Sequence, residues 1–245
     1  MKRILLTISY DGTHFNGWQH QNNGRTVQDV VEKAIKDSLK EDIRIFASGR
    51  TDEGVHAIGQ KAHFDTNSKI ASEKIANIIN LKLPEDVSIL KSEEVSNDFD
   101  ARKTAKRKTY RYDTYISYVP LPLKRNTHAR VFGKFDFDAM KKAVKYFEGT
   151  HDFASFRNLG STAKTTVRTI YKASFKKISD TEFSFEFTGD GFLYHMVRIM
   201  VGTLYNVGRG KIKPEEINDI LKSKNRKRAG KTAPSQGLYL VDVKY

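Results

Sequence analysis

The N-terminal part of the chain alternates between strand-like and helix-like patterns of apolar and polar residues. After Thr26, apolar residues recur every three or four positions as far as Leu39, which predicts a helix. Asp29 forms a capping box with Thr26 at the start of this helix. A second predicted helix begins at Ser72, and Pro84 ends it. Strand-like runs occupy residues 4–10, 43–47, 60–66 and 87–90.

The C-terminal part shows the same mixture of patterns without repeating the sequence. A polar and basic stretch at 97–108 contains no strong element and separates the two parts. Because both parts mix strands and helices, we predict an α/β or α+β fold with two subdomains, residues 1–103 and 104–245, that share a cleft. The elements predicted after the boundary are a strand at 110–116, a helix at 138–147, a hairpin of 166–177 with 181–188, helices at 192–207 and 214–221, and a closing strand at 237–243.

Composition narrows the possible partners. The 245 residues include 43 Lys and Arg against 29 Asp and Glu, and the net charge of +14 favours a polyanion such as a nucleic acid. No run of 18 apolar residues and no signal peptide are found, so we expect no membrane partner. The absence of cysteine excludes disulfides and thiolate metal sites and is compatible with the cytoplasm. The seven histidines lack metal-ligand spacing, so we expect no metal site.

Two basic runs, at 102–111 and 222–231, contain no acidic residue. One such run is as often a solvated surface as a binding site, but two in a chain of this charge favour contacts to phosphates. Tyr110 and Tyr112 extend the first run; they would stack on unpaired bases or, equally well, pack in a strand core. The cations assigned to RNA are Arg102, Lys103, Lys106, Arg107, Lys108 and Arg111 in the first run and Lys227 and Arg228 in the second.

The stretch ASGRTDEGVHA at 47–57 fits neither a helix nor a strand. Asp52 follows a short predicted strand and precedes Gly54, at the lip of a loop where side chains reach ligands. An aspartate in such a loop often bonds its own backbone instead, as in an Asx turn. The nearby Arg50 and the basic surroundings favour a functional role. By contrast, AGKT at 229–232 lacks the first glycine and the preceding strand of a P-loop, which argues against a nucleotide site.

Ordered motifs along the chain carry a resemblance to a known family. They are YDGTHFNGWQ at 10–19, GRTDEGVHA at 49–57, FDARKTAKRKTYRY at 99–112, HDFASFR at 151–157, GFLYHMVRIMVGTL at 191–204 and APSQGLYLVDVKY at 233–245. Together they resemble the TruA family of tRNA pseudouridine synthases over essentially the whole chain. Several motifs in the family's order make this resemblance far more specific than a single GRTD.

The resemblance implies an isomerase that converts uridine to pseudouridine at positions 38–40 of the tRNA anticodon stem-loop, with no metal or organic cofactor. The reaction cuts the bond from C1′ to N1, turns the base and joins C1′ to C5, and the uridine must first leave the RNA stack. Asp52 matches the essential aspartate, which either attacks the uridine or abstracts a ribose proton. The substrate-binding positions implied are Arg50, which holds the uridine out of the stack, Tyr110, which stacks on it, Arg198, which pairs with Asp52, and Leu238 beneath the base, with Leu240 as the weaker candidate.

The family also implies an architecture and a partner. Its fold has two α/β subdomains that share one extended mixed or antiparallel sheet, with helices on one face and a basic central cleft. Its members resemble cytoplasmic homodimers that bind tRNA across both subunits. Glu53 stands where members of the family often have a small residue. Its carboxylate would disfavour the negative charge of the adjacent Asp52, or it would simply point to solvent. This departure leaves open a paralogue that acts on a different tRNA site.

Two other classes of protein compete with this interpretation. A non-catalytic RNA-binding module explains the charge and the tyrosines, but it does not explain an acidic residue in a basic cleft, where a carboxylate opposes phosphate binding. A metal-dependent nuclease or phosphotransferase would need several carboxylates gathered on Mg²⁺. Asp52 and Glu53 are adjacent, and no D-x-D cluster accompanies them.

Overall fold

The computed structural model describes residues 1–158, 160 and 163–245, which divide into two compact units. The first unit comprises Met1–Lys106 with Tyr239–Tyr245, and the second comprises Arg107–Leu238. The predicted division into 1–103 and 104–245 differs from these units mainly in the closing strand. That strand belongs to the first unit because its residues pair there in parallel with the strand that follows the Asp52 loop.

The secondary structure mixes strands and helices throughout the described residues. The strands are β1 (Lys2–Tyr10), β2 (Phe46–Ala47), β3 (His56–Thr66), β4 (Val87–Val95), β5 (Arg107–Ile116), β6 (Ala129–Val131), β7 (Gly149–Asp152), β8 (Val167–Ser179), β9 (Glu182–Gly189) and β10 (Leu238–Lys244). The helices are α1 (Val27–Leu39), α2 (Ile75–Asn80), α3 (Phe137–Val144), α4 (Met196–Gly208) and α5 (Glu216–Ser223). The predicted α+β class is confirmed.

The sheet of the first unit has the strand order β4-β1-β3-β10. β1 runs antiparallel to both of its neighbours, β10 is parallel to β3, and the short β2 pairs with β3 at its other end. Alternate residues of β1 enter the core, where Ile4, Leu6 and Ile8 are fully buried. The predicted strand 43–47 is reduced to the two residues of β2.

Helix α1 covers this core with Val27, Val31 and Ile35, all fully buried. The N-cap half of the predicted capping box is confirmed, since the Thr26 hydroxyl accepts a hydrogen bond from the main-chain N–H of Asp29. The Asp29 carboxylate accepts from the Thr26 hydroxyl at 2.5 Å, whereas a complete capping box would use the main-chain N–H of Thr26. The helix predicted from Ser72 is shorter than expected, since it begins with a 3₁₀ turn before α2.

The second unit has the strand order β5-β9-β8-β7, antiparallel at each step, with β6 parallel to β5. The predicted hairpin is confirmed as β8 and β9. Helix α4 is almost entirely buried, but it begins at Met196 rather than at residue 192 because His195 adopts a left-handed conformation with φ of 60°. The fully buried aromatic core of this unit includes Phe147, Phe153, Phe156, Phe183, Phe185 and Phe187.

Two structural absences can be stated for the part of the chain that the structure describes. No helix there is long and apolar enough to cross a membrane. No group of three or more histidine and carboxylate side chains is placed there to hold a metal ion.

Candidate active site

Asp52 lies on the irregular loop between β2 and β3, in the first unit. Its side chain is half-buried, whereas Arg50 and Glu53 on either side are exposed. The loop turns where the main-chain N–H of Val55 donates to the carbonyl oxygen of Asp52 at 3.2 Å, with Gly54 at φ of 72°. This main-chain hydrogen bond closes a turn over residues 52–55.

Residues 10–19 pack against the Asp52 loop through main-chain hydrogen bonds. The main-chain N–H of Trp18 donates to the carbonyl oxygen of Thr51 at 3.1 Å, and that of Gly54 donates to Phe15 at 3.3 Å. Gly17 has φ of 89°, and a Cβ there would lie 2.6 Å from the Thr51 carbonyl oxygen. The first two motifs of the sequence are therefore one structural unit, and their glycine is required by the close approach of two backbones.

Buried side chains hold the same loop from the sheet. The Tyr10 hydroxyl lies 2.7 Å from the hydroxyl of Thr51. Ser48 donates to the side-chain oxygen of Gln60 at 2.8 Å, and the side-chain amide of Gln60 donates to the carbonyl oxygen of Gly49 at 2.8 Å. Gln60 and Ser48 are fully buried, and Tyr10 and Thr51 nearly so. Sequence reasoning missed Tyr10 and Gln60, although a glutamine at an inward position of a strand is a signal that a buried polar partner exists.

His56 follows the loop and is also buried. Its Nδ1 lies 3.0 Å from the main-chain N–H of Gly12 and 3.1 Å from a carboxylate oxygen of Asp11. Its ring stacks on Tyr239 of β10 with a centroid distance of 4.7 Å. The histidine thus packs and hydrogen-bonds within the first unit, as predicted for the histidines of this chain.

Tyr110 and Tyr112 lie on β5 of the second unit, on the same face of the strand. Tyr110 is 9% exposed, and its ring meets that of Phe192 edge-on with a centroid distance of 4.9 Å. Tyr112 is completely buried and donates its hydroxyl to the carbonyl oxygen of Pro234 at 2.7 Å. Tyr112 is therefore a core residue, and stacking on an RNA base is excluded for it.

Arg198 lies in the first turns of α4, also in the second unit. Its Nε donates to the carbonyl oxygen of Ala233 at 2.8 Å, and the main-chain N–H of Ala233 donates back to Arg198 at 3.0 Å. The segment carrying Ala233 crosses the helix at Gly202, where a Cβ would lie 1.8 Å from the carbonyl oxygen of Lys231. The AGKT stretch at 229–232 therefore packs against α4.

The two candidate leucines are both buried at the beginning of β10. Leu238 is 5% exposed, and Leu240 is completely buried, in register with Ala57 of β3. Leu238 is the more exposed of the two candidates. The structure therefore places Arg50 and Asp52 on one loop of the first unit, and Tyr110, Arg198 and Leu238 on regular elements or their ends in the second.

The basic runs differ in how much of their charge faces solvent. In the first run, Lys108 and Arg111 are half-buried, and the Arg111 Nε lies 3.0 Å from the Asp113 carboxylate. In the second run, Arg226 is a structural residue, since its guanidinium donates to the carbonyl oxygen of Gly230 at 2.9 Å. The cations assigned to RNA that are solvent-exposed are Arg102, Lys103, Lys106, Arg107, Lys227 and Arg228.

Comparison with known proteins places the chain in a family. The family described as tRNA pseudouridine synthase matches residues 6–102 and 143–245. The tRNA pseudouridine synthase A of Acetivibrio thermocellus is 51% identical over 245 residues, and that of Ruminiclostridium cellulolyticum is 47% identical; both alignments cover each chain completely. Among solved structures, the archaeal box H/ACA sRNP Nop10-Cbf5 complex matches with a TM-score of 0.40 and 14% identity, over 82% of this chain and 44% of that chain.

The chain belongs to the tRNA pseudouridine synthase family, as the resemblance in its motifs predicted. It is an isomerase, and its reaction is the conversion of uridine to pseudouridine in tRNA.

Proposed function

We propose that this isomerase acts on uridines at positions 38–40 of the tRNA anticodon stem-loop, with Asp52 as its catalytic residue. The chain is 51% and 47% identical over its full length to two proteins named tRNA pseudouridine synthase A, and this similarity supports the anticodon stem-loop as the site of action. The observation that carries the assignment of Asp52 is its setting. It is a half-buried carboxylate on a loop fixed by buried hydrogen bonds, in a protein of net charge +14. A loop held this firmly suits a group that must meet one atom of a bound substrate.

The proposed reaction needs one ionised carboxylate next to C1′ of a uridine that has left the RNA stack. Asp52 either attacks the uridine or removes a ribose proton, the C1′–N1 bond breaks, and the freed base turns and rejoins C1′ through C5. The C5 proton is then lost and N1 takes up a proton, while Asp52 leaves C1′ or returns the ribose proton that it removed, so the product has the same atoms as the substrate and is its isomer. Arg50, exposed two positions from Asp52, is assigned to the space that the base vacates.

The remaining roles follow from the family resemblance. In this proposal Tyr110 stacks on the uridine, Arg198 is the charged partner of Asp52, and Leu238 supports the base from below. Half-burial suits Arg198 because a desolvated guanidinium makes stronger charge-assisted hydrogen bonds than an exposed one. Its Nε donates to the carbonyl oxygen of Ala233, and this contact fixes the orientation of the guanidinium.

The exposed cations of the two basic runs are proposed to bind tRNA phosphates. Arg102, Lys106 and Lys227 are solvent-exposed and therefore suited to contacts with a backbone. Lys108 and Arg111 keep the same proposed role, but Asp113 offsets part of the charge of Arg111, so we expect a smaller contribution from it. No metal or organic cofactor is required in this proposal.

A homodimer and a cytoplasmic location complete the proposal. Both come from the family resemblance, and the location also follows from the tRNA substrate. Light scattering during gel filtration measures the mass of the particle, which should be about twice the 28.0 kDa of one chain. A single-chain mass at micromolar concentration would contradict the dimer.

The site specificity is tested with unmodified tRNA transcripts and purified protein in the presence of EDTA. A natural transcript should gain pseudouridine at positions 38–40, detected by carbodiimide labelling and reverse transcription. The control is a matched transcript with cytidine at those positions, which should bind but gain none. Pseudouridine elsewhere in the control transcript would show that the enzyme acts on a different tRNA site.

A further inference from the structure

Along the Asp52 loop, the buried residues Ser48 and Thr51 alternate with the more accessible residues Arg50 and Asp52. Ser48 is fully buried and Thr51 nearly so, and the carbonyl of Gly49 accepts a buried hydrogen bond from Gln60. Arg50 is exposed and Asp52 half-buried. The side chain of Thr51 therefore enters the protein between the two residues that the proposed function assigns to the substrate.

We infer that Tyr10, Thr51 and Gln60 are positioning residues of the isomerisation: their buried hydrogen bonds hold the loop so that Arg50 and Asp52 present their side chains to the same uridine. This inference rests on the proposed function of Asp52. It gives a chemical reason for the threonine in GRTD, which resemblance alone leaves unexplained.

The contact between Tyr10 and Thr51 lies next to Asp52, where a small displacement of the loop has a large effect on the reaction rate. The Tyr10 hydroxyl lies 2.7 Å from the hydroxyl of Thr51, and Thr51 is covalently joined to Asp52. The carbonyl oxygen of Thr51 is fixed separately by the N–H of Trp18 at 3.1 Å. Because both the side chain and the main chain of Thr51 are held, Asp52 has little freedom to shift, and a displacement of about 1 Å at a reacting group can cost roughly 100-fold in rate.

Gln60 secures the other end of the loop. Its side-chain oxygen accepts from Ser48 and its side-chain nitrogen donates to Gly49, so both halves of the amide are used. Gln60 lies on β3, and β3 is hydrogen-bonded to β1 along one side. The sheet therefore fixes the position of Gln60. An isosteric side chain that can only donate or only accept hydrogen bonds would lose one of these two contacts.

The chemistry of Tyr10 fits a positioning role rather than proton transfer. Burial raises the pKa of Tyr10 well above its ordinary value, so the hydroxyl stays neutral. A neutral hydroxyl bonded to Thr51 stabilises the loop at every pH at which the enzyme is folded. Its effect on the reaction is therefore expected to be independent of pH.

A tyrosine–threonine pair of the same kind in the second unit provides a matched control. The Tyr205 hydroxyl lies 2.7 Å from the hydroxyl of Thr114, and both residues are buried, between α4 and β5. Tyr205→Phe removes a buried hydrogen bond of equal length without touching the Asp52 loop. Loss of either hydroxyl leaves an unsatisfied partner, so both variants should lose comparable stability.

The test measures the single-turnover rate at saturating tRNA, the Kd for tRNA and the midpoint of thermal unfolding. Tyr10→Phe and Thr51→Val should each slow the reaction at least tenfold more than Tyr205→Phe does, with Kd within about twofold of the unaltered protein; tenfold corresponds to about 1.4 kcal/mol. Thr51→Ser keeps the hydroxyl and should restore most of the rate. The Tyr10→Phe/Thr51→Val double variant should be no slower than the slower single variant, because both changes remove the shared hydroxyl contact.

Equal slowing by Tyr10→Phe and Tyr205→Phe, or a Thr51→Ser variant as slow as Thr51→Val, would overturn the inference. Gln60→Met keeps the length of the side chain and removes both hydrogen bonds, and it should behave like Tyr10→Phe. Asp52→Asn in the same assay distinguishes a failure of the catalytic role of Asp52 from a failure of the positioning role of Tyr10. If Asp52→Asn is active, the assignment of Asp52 fails; if it is inactive while Tyr10→Phe is normal, only the positioning role fails.

Discussion

The Asp52 loop of the first unit and helix α4 of the second are held in place by different forces. The loop has no regular structure, and buried hydrogen bonds from Tyr10 and Gln60 fix it. Helix α4, which carries Arg198, makes its own main-chain hydrogen bonds and buries its own apolar side chains, such as Ile199, in the core. A directional network specifies one conformation, whereas apolar packing specifies a position through shape and volume.

This difference predicts two kinds of failure. A change in the polar network should alter the reaction more than the stability, because it moves the loop within a folded protein. A change in the packing of α4 should alter the stability first, because the helix is part of the core of its unit.

The largest effect on stability is expected where α4 meets the segment at 229–233. A Cβ at Gly202 would lie 1.8 Å from the carbonyl oxygen of Lys231, a main-chain atom that cannot move alone. Gly202→Ala should therefore reduce the free energy of unfolding by about 3 kcal/mol, as overpacking a core does. Urea denaturation measures this loss.

Gly191→Ala is the control for that substitution. A Cβ at Gly191 would meet only the side chain of Arg168, at 3.5 Å, which is an ordinary contact. Its free energy of unfolding should change by less than about 0.5 kcal/mol. Equal stability of the two variants would mean that the helix crossing is not tightly packed.

A smaller loss of stability but a clear loss of rate is expected at Gly17. An alanine there has to adopt a positive φ and would press on the carbonyl of Thr51 at 2.6 Å, so the Asp52 loop must shift. The single-turnover rate should fall at least tenfold, which is about 1.4 kcal/mol. Gly24→Ala shares the positive φ but would meet only the Asn16 side chain, so it should keep its rate. Two equally slow variants would show that backbone strain, not the contact with the loop, causes the loss.

Tyr110 should show an intermediate effect that depends on its ring. The ring packs against Phe192, so Tyr110→Phe should preserve the fold and the affinity for tRNA while slowing the isomerisation through the missing hydroxyl. Tyr110→Leu should be slower still, since it also removes the aromatic surface for stacking. Rates and Kd values from the same single-turnover series decide this. Equal rates for phenylalanine, leucine and tyrosine would assign Tyr110 to the core alone.

The smallest effect per residue is expected in the basic runs. Replacing Arg102, Lys103 and Lys106 by glutamine should weaken tRNA binding and reduce the slope of log K against log salt by roughly 0.7 to 0.9 for each lost phosphate contact. Arg226→Gln is the contrasting variant, because its guanidinium holds the carbonyl of Gly230; it should reduce stability with little change in the slope. An unchanged slope in the triple variant would make the first run a solvated surface.

Regular elements were predictable wherever a local pattern controls the backbone. Helix α1 was predicted together with its start, since the Thr26 hydroxyl satisfies the main-chain N–H of Asp29 in the first turn. The prediction for residues 43–47 overestimated the strand, because the main-chain N–H of Ile45 donates to the carboxylate of Glu32 at 2.9 Å instead of to a neighbouring strand. Such a contact between distant residues leaves no local signal.

The candidate site was predictable only in part, and for a related reason. Asp52 and Arg50 stand out because a loop with three charged residues between Gly49 and Gly54 has no structural pattern of its own. Tyr10 does not stand out, because it lies in an ordinary strand pattern, and the inward glutamine at position 60 signals only that a polar partner exists; the fold alone shows what these residues hold. The short strands β6 and β7 were missed because three or four residues are too few to show alternation.

The most direct test of the account compares Asp52→Asn with Glu53→Gln in single-turnover pseudouridine formation on unmodified tRNA. Asparagine is nearly isosteric with aspartate but is neither a useful nucleophile nor a base. Asp52→Asn should bind tRNA with unchanged or slightly higher affinity and lose several orders of magnitude in rate, as loss of a central catalytic group commonly does. Glu53 is exposed, so Glu53→Gln should keep most of the activity. An Asp52→Asn enzyme that retains more than about a tenth of the rate, or a Glu53→Gln enzyme that is the inactive one, would contradict the assignment of Asp52.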